Sequence, residues 1–291
     1  MSAAGGGAAA EVQVMEGARA RERTEACAEA ARRGGLAVFL DFDRTMTRCF
    51  LPGGGRCTSA HGVMESAGML SEEFRSKTKQ LFEKYYPVEI DATMSIEEKI
   101  PIMNEWYSQV HSLMLRENVM RRDLHSAVAE CTAIELRDGI ADLILRCQKA
   151  SPPIPVIVMS AGLGDVIEDF LQLRLPFELA PTTMVVSNRM SFDGDGRLSG
   201  FSEPLLHMFN KTAKFMPDAG RELVKGRGHC LLLGDSVGDL TMADSLEVET
   251  LKVGFLNEKV DERLAQYCDL FDVVVTNDGK VPEVCFQAIG V

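Results

Sequence analysis

Six short stretches of this chain are apolar along nearly their whole length: LAVFL (36–40), IPVIVM (154–159), TMVVS (183–187), CLLL (230–233), TLKVGF (250–255) and FDVVV (271–275). A strand with one wet face alternates apolar and polar residues, whereas a continuous apolar run needs cover on both faces. Helical patterns fall between several of the runs, such as DVIEDFLQL after the second and GDLTMADSL after the fourth. Strands alternating with helices predict an α/β fold with a doubly wound, mostly parallel sheet.

The first two runs are too far apart for one crossover. Between Asp41 and Ser160 lies far more chain than the dozen or so residues that join parallel neighbours. Residues 71–85 place Phe74, Thr78, Leu81, Phe82 and Tyr85 on one helical face, with Ser71 as N-cap. Ser95 and Glu98 form a capping-box pattern that opens a second helix through Met103, Trp106, Val110 and Leu113, with a kink or restart expected at Pro101. A third amphipathic run covers roughly 117–131. The expected organisation is a core from residues 36–49 and 136–291, a helical cap over 50–135, and a tail with a leading helix over 1–35. The Gly/Ala-rich start MSAAGGGAAA reads as the loose part of that tail.

Composition narrows the function. A net charge of −12 over 291 residues disfavours nucleic acid and anionic membrane as partners, and an anionic substrate would need a strong local positive centre. The eight cysteines are scattered, without C-x-x-C or a zinc-like pairing with histidine, and a chain this long does not need disulfide staples. Reduced thiols, a cytoplasmic location and a monomer are the expectations. No apolar run reaches the length of a membrane span.

Three runs end in polar residues, as VFLDFD, VIVMSAG and LLLGDS, and open parallel sheets bind ligands beyond their strands' carboxyl ends. Asp41 and Asp43 stand two apart, so continued strand geometry sends both carboxylates to one side, where they repel. A Mg²⁺ ion resolves that repulsion: it takes oxygen ligands, leaves positions open for phosphate, and supplies the local positive centre. Asp235 could complete its cage.

LDFDRT, VMSAG, FNK and LLLGDSVGD, in that order, resemble the four motifs of haloacid-dehalogenase-type phosphatases. HG (61–62), KYYPVEID, EEK, NEWY, SAGLGDVIED, VVSNRMSFD, LLHMFNK, LLLGDSVGDLTMAD and FLNEKVDE are similar to a narrower group, the cytosolic type III pyrimidine 5′-nucleotidases, which includes relatives acting on 7-methylguanosine monophosphate. The resemblance runs from about residue 36 nearly to the C-terminus. It implies a Mg²⁺-dependent 5′-nucleotidase whose substrate is a nucleoside monophosphate. Asp41 would be the nucleophile and Asp43 the proton donor and acceptor. Mg²⁺ would be held by Asp41, the backbone carbonyl of Asp43, and Asp235, with Asp239 supporting the metal shell. Ser160 and the backbone at Ala161 would hold phosphate oxygens, Lys211 would neutralise its charge, and Glu89 would read the base. The alternatives are a general small-metabolite phosphatase or a catalytically silent nucleotide-binding protein.

Some residues depart from that pattern. Arg44 replaces a Met or small residue after the acidic pair. Val110 stands where pyrimidine-preferring relatives have serine, and FSEPLLH lacks a lysine of the family's FKGxLIH. Trp106 at helical spacing reads as core, and His61 beside glycine as a turn residue; neither is counted in the site, and nor is Tyr107. GDSVG (234–238) matches a hydrolase nucleophile elbow around Ser236, but the last histidine, His229, lies upstream, so no downstream base exists. FDGDGRLSGFSE (192–203) fails the calcium-loop pattern in both registers and reads as a hairpin turn.

Overall fold

The computed structural model describes residues 11–91 and 93–290; the expected loose start at 1–10 lies outside them. The sheet is built on β2 (Leu36–Leu40), β3 (Val156–Leu163), β4 (Thr183–Asn188), β7 (His229–Gly234), β8 (Glu249–Leu256) and β9 (Val273–Thr276), all parallel. Their order, β9-β8-β7-β2-β3-β4, puts β2 at the middle, with the chain leaving it towards β3 and returning on its other side at β7. The sequence missed β1 (Val14–Glu16), which lies in the expected tail and pairs antiparallel with β9. Three residues are too few to show a period.

The continuous apolar runs have the cause inferred for them. Leu36, Val38 and Leu40 of β2 enter one core, while Ala37 and Phe39 enter the core on the opposite face. Leu231 and Leu233 of β7 divide from Cys230 and Leu232 in the same way. Helices α1 (Ala20–Arg32), α6 (Ile140–Lys149), α7 (Gly164–Arg174) and α10 (Glu283–Ala288) cover the first face, and α8 (Asp218–Val224) lies over the second. Helix α9 (Val260–Leu270) packs on β8 and β9.

Besides α6, four helices occupy the long gap: α2 (Ala60–Ser66), α3 (Glu72–Ile90), α4 (Ile96–Met114) and α5 (Arg121–Glu130). Helices α3 and α4 pack on each other, whereas α2 and α5 pack against α7. Ser71 and Ser95 cap α3 and α4, the latter in a full capping box with Glu98. Pro101 does not interrupt α4, and α3 also continues through Pro87. In each case proline removes one backbone donor while the flanking turns keep theirs.

The helix expected over GDLTMADSL is replaced by two short 3₁₀ turns, Val237–Thr241 and Asp244–Leu246. Local side-chain bonds compete with the helical ladder there: Asp239 Oδ2 accepts from the N–H groups of Asp235 and Ser236, and Thr241 donates to the Gly238 carbonyl. Within the 192–203 segment, residues 193–197 form the turn between β5 (Met190–Phe192) and β6 (Leu198–Phe201). All eight cysteines are free thiols, and all but Cys268 are buried. Among the described residues no helix is long and apolar enough to cross a membrane.

Candidate active site

Register alone gathers the strand ends. Leu40 pairs with Val158 on one side and Leu233 on the other, so Asp41 and Asp235 emerge just past β2 and β7 beside Ser160, which lies in β3 where its pairing with β4 shifts after Met159. Asp41 is tied there through its N–H, which donates to the Leu233 carbonyl at 3.0 Å. The chain then enters an irregular turn over Phe42–Met46, in which Arg44 takes a left-handed φ of 63°.

Lys211 reaches this point from the other side of the sheet. Its ammonium lies 2.5 Å from Asp41 Oδ1 and 2.7 Å from Asp239 Oδ1, with all three side chains buried. Burial alone would lower the Lys211 pKa, but Asp239 and Asp41 outweigh it and hold the ammonium above its ordinary range. Two asparagines fix the approach of this segment. Asn188 bonds the Leu206 N–H and carbonyl and also donates to the Ala161 carbonyl, coupling β3 to the lysine segment. Asn210 accepts from the His207 N–H and donates to the Leu205 carbonyl, closing the turn before Lys211. Both were visible as letters of VVSNRM and FNK, but nothing in their spacing reveals the partners.

Asp41, Asp235 and Asp239 each place a carboxylate oxygen within 4.8 Å of the others. Burial pushes Asp41 up, with Asp239 and Asp235 adding to the shift and Lys211 opposing it. Asp235 is pushed up to about 7 by burial and by Asp239. Three crowded acids with one ammonium are short of positive charge, and oxygen donors alone suit a hard divalent cation, so the residues fit Mg²⁺. Asp239 is committed elsewhere: beyond Lys211, its Oδ2 accepts from two backbone N–H groups and the Ser236 hydroxyl. That leaves Asp235 the freer carboxylate. Gly234 makes the crowding possible, since a Cβ there would stand 2.5 Å from Asp239 Cβ.

Asp43 is separate from this cluster. Its Oδ1 accepts from the Ala60 N–H at 2.9 Å, at the start of α2. Burial raises its pKa, opposed by that bond and by Arg44 and Lys211. Two carboxylates two residues apart thus have different surroundings, Asp41 among two acids and an ammonium, Asp43 off that cluster at the start of α2. Ser160 is buried, its Oγ accepting from the Gly162 N–H at 3.0 Å.

The α3–α4 pair contributes Glu89 and a group of aromatic rings. Burial pushes Glu89 up to about 7, with Arg44 and Lys99 opposing, and the Lys99 ammonium donates to the Glu89 carbonyl at 2.9 Å. Tyr107 is held above its usual pKa range by burial and by Glu89, opposed by Lys211, with Asp43 and Asp41 adding, which places its hydroxyl in the field of the core carboxylates. Trp106 is not core: it is partly exposed, stacks on Tyr85, and lines a cavity of about 390 Å³ with His61, Phe74, Tyr107 and Val110. His61 sits in the first turn of α2 rather than in a loop, edge-on to Tyr107 and stacked with His111. Arg137 and Asp278, which help hold the turn after Asp41, had no signal in the sequence, and Asn257 was visible only as a letter of FLNEKVDE.

Comparison with known proteins gives one answer. The family model described as pyrimidine 5′-nucleotidase (UMPH-1) matches residues 44–289. The 7-methylguanosine phosphate-specific 5′-nucleotidase of Mus musculus is 37% identical over 262 residues, 88% of this chain and 85% of the relative. Its counterpart A in Xenopus laevis is 40% identical over 253 residues, covering 85% of each. The solved structure of cytosolic 5′-nucleotidase IIIB bound to cytidine superimposes with a TM-score of 0.81 at 31% identity, covering 95% of this chain and 93% of that one. A haloacid-dehalogenase-family hydrolase from Salmonella enterica, at 15% identity and TM-score 0.51, shares the fold.

Proposed function

Because the chain belongs to the pyrimidine 5′-nucleotidase (UMPH-1) family, and so is a phosphoric monoester hydrolase of the 5′-nucleotidase class, we propose that it cleaves nucleoside 5′-monophosphates through a covalent phosphate on Asp41. The substrates proposed are pyrimidine nucleotides such as CMP and UMP, or 7-methylguanosine monophosphate. The observation that carries the mechanism is the different setting of the two acids, Asp41 buried and Asp43 half-buried. Asp41 lies 2.5 Å from the Lys211 ammonium, which favours its carboxylate, while Asp43 stands off that cluster with its Oδ1 on the Ala60 N–H.

An Asp41 carboxylate oxygen attacks phosphorus and the bond to the nucleoside 5′-oxygen breaks. Asp43 gives its proton to that oxygen, and the neutral nucleoside leaves. Asp43, now ionised, takes a proton from the incoming water as it hydrolyses the aspartyl-phosphate, releasing phosphate and restoring both acids. Lys211 balances charge on the phosphoryl oxygens, with Ser160 and the Ala161 backbone holding the others. Asp41, Asp235 and the Asp43 carbonyl would hold Mg²⁺, which when bound supplies positive charge against the phosphate. The α3–α4 pair acts as the cap that recognises the base and excludes water, with Glu89 accepting hydrogen bonds from base N–H groups.

Phosphate release from CMP, UMP, AMP, 7-methylguanosine monophosphate and phosphoserine, with and without chelator, tests the reading. Chelator-sensitive release concentrated on the pyrimidine or 7-methylguanine nucleotides is expected. Equal rates across the panel would remove the nucleotidase assignment.

A further inference from the structure

Arg137 is among the largest fully buried side chains of the protein, and its guanidinium is spent on the turn that carries Asp43. Nε donates to the Thr45 carbonyl at 2.7 Å, and Nη2 donates to the Arg44 carbonyl at 2.5 Å and to Asn257 Oδ1 at 3.1 Å. Nη1 donates to the Gly279 carbonyl at 2.6 Å and lies 3.2 Å from Asp278 Oδ1. The Arg137 Cζ lies over the Phe255 ring, 4.1 Å from the centroid. Asn257 adds its own bond to the Arg44 carbonyl at 3.0 Å. Backbone pairing joins the same places, since the Arg137 N–H donates to the Met46 carbonyl at 2.8 Å.

The residues gathered this way are unusual in a second respect. Arg44, Asn277 and Asp278 all hold left-handed φ values, 63°, 53° and 55°, without being glycine. Such conformations persist where surrounding bonds over-determine them. Arg137 binds directly to two of the three, at the Arg44 carbonyl and the Asp278 carboxylate. That carboxylate in turn accepts from the N–H groups of Cys49 and Phe50, just past the turn.

Resting on the function proposed above, we infer that Arg137 is a positioning residue for the reaction: by clamping the left-handed Arg44 peptide it sets where the adjacent Asp43 carboxylate stands relative to the leaving oxygen. A purely structural arginine would hold the fold and leave the chemistry alone. The two roles differ in how they depend on the leaving group. A nucleoside 5′-oxygen must be protonated as it departs, whereas the phenolate of p-nitrophenyl phosphate departs without a proton.

The test compares kcat/KM on CMP, 7-methylguanosine monophosphate and p-nitrophenyl phosphate for wild type, Arg137→Met, Arg137→Lys and Asn257→Ala, with Tm measured for each. Arg137→Met is expected to lose at least about tenfold on the preferred nucleotide and no more than about threefold on p-nitrophenyl phosphate, because general-acid catalysis matters only for the first. Arg137→Lys, which keeps charge and reach with fewer donors, should recover part of the loss. Asn257→Ala, which removes one of the two holds on the Arg44 carbonyl, should show the same selectivity more weakly and keeps the test open if Arg137→Met does not fold. Equal losses on both leaving groups, or a lowered Tm with unchanged rates, would overturn the positioning role. A wild-type protein that releases phosphate from none of these esters would instead remove the proposed function itself.

Discussion

Lys211 Nζ lies 2.7 Å from Asp239 Oδ1, and the second oxygen of that carboxylate accepts from the N–H groups of both Asp235 and Ser236. One side chain therefore aims the ammonium and shapes the loop bearing the candidate metal ligand. Asp239→Asn should lower activity through both routes, whereas Lys211→Met removes only the charge. We expect roughly a 10²–10³-fold loss of kcat for Lys211→Met, the size seen when one preorganised donor to developing charge is deleted. Asp239→Asn should in addition weaken Mg²⁺ binding, read by titration calorimetry.

The acid cluster predicts how metal and pH act together. Without a cation, burial and Asp239 keep Asp235 up to about 7, well above the carboxylate range of an unfolded chain. Such a group binds more protons folded than unfolded, so metal-free stability should fall as pH rises from about 4 to 7. Mg²⁺ takes the ionised carboxylates, so its affinity should weaken as pH drops below about 7. Thermal melts at pH 6 and pH 8 check both signs. Mg²⁺ at a hundred times its Kd should add about 2.7 kcal/mol of stability, and that point should be reached at lower metal concentration at pH 8.

Glu89 supplies a third test. Burial pushes it up to about 7, and a carboxylate accepting base N–H groups must be ionised to do so fully. KM for the preferred nucleotide should rise as pH falls through about 7. Glu89→Gln should raise KM and flatten that dependence while changing kcat on p-nitrophenyl phosphate little.

Gly234 tests the crowding itself. A Cβ at this position would meet Asp239 Cβ at 2.5 Å. Overpacking of that kind costs roughly 1–3 kcal/mol, so Gly234→Ala should lower Tm and, by displacing Asp239, cut activity more than an equal destabilisation elsewhere in the core.

The sheet was legible because both faces of each parallel strand are buried, which writes strand positions into the chain as continuous apolar runs. β1 was not, since a three-residue edge strand has no period to read. Asp41, Ser160 and Asp235 were legible as the polar ends of three apolar runs, and Lys211 from the family motif. Arg137 was not, because a buried polar side chain spending its donors on distant carbonyls leaves no local pattern, and Asn257 showed only as a letter of FLNEKVDE, without its partners. Trp106 misled for the opposite reason: helical spacing reports which face a residue occupies, but not whether that face borders a core or a cavity.

The proposed mechanism requires a phosphate carried covalently by Asp41. Rapid acid quench during turnover of the preferred nucleotide, followed by mass spectrometry of the peptide containing residue 41, tests it directly. Phosphate on Asp41 that is absent from Asp41→Asn, and that accumulates in Asp43→Asn supplied with p-nitrophenyl phosphate, whose phenolate leaves without a proton while hydrolysis of the intermediate has lost its base, is the predicted result. Active turnover with no phosphorylated peptide, or full activity in Asp41→Asn, would contradict it.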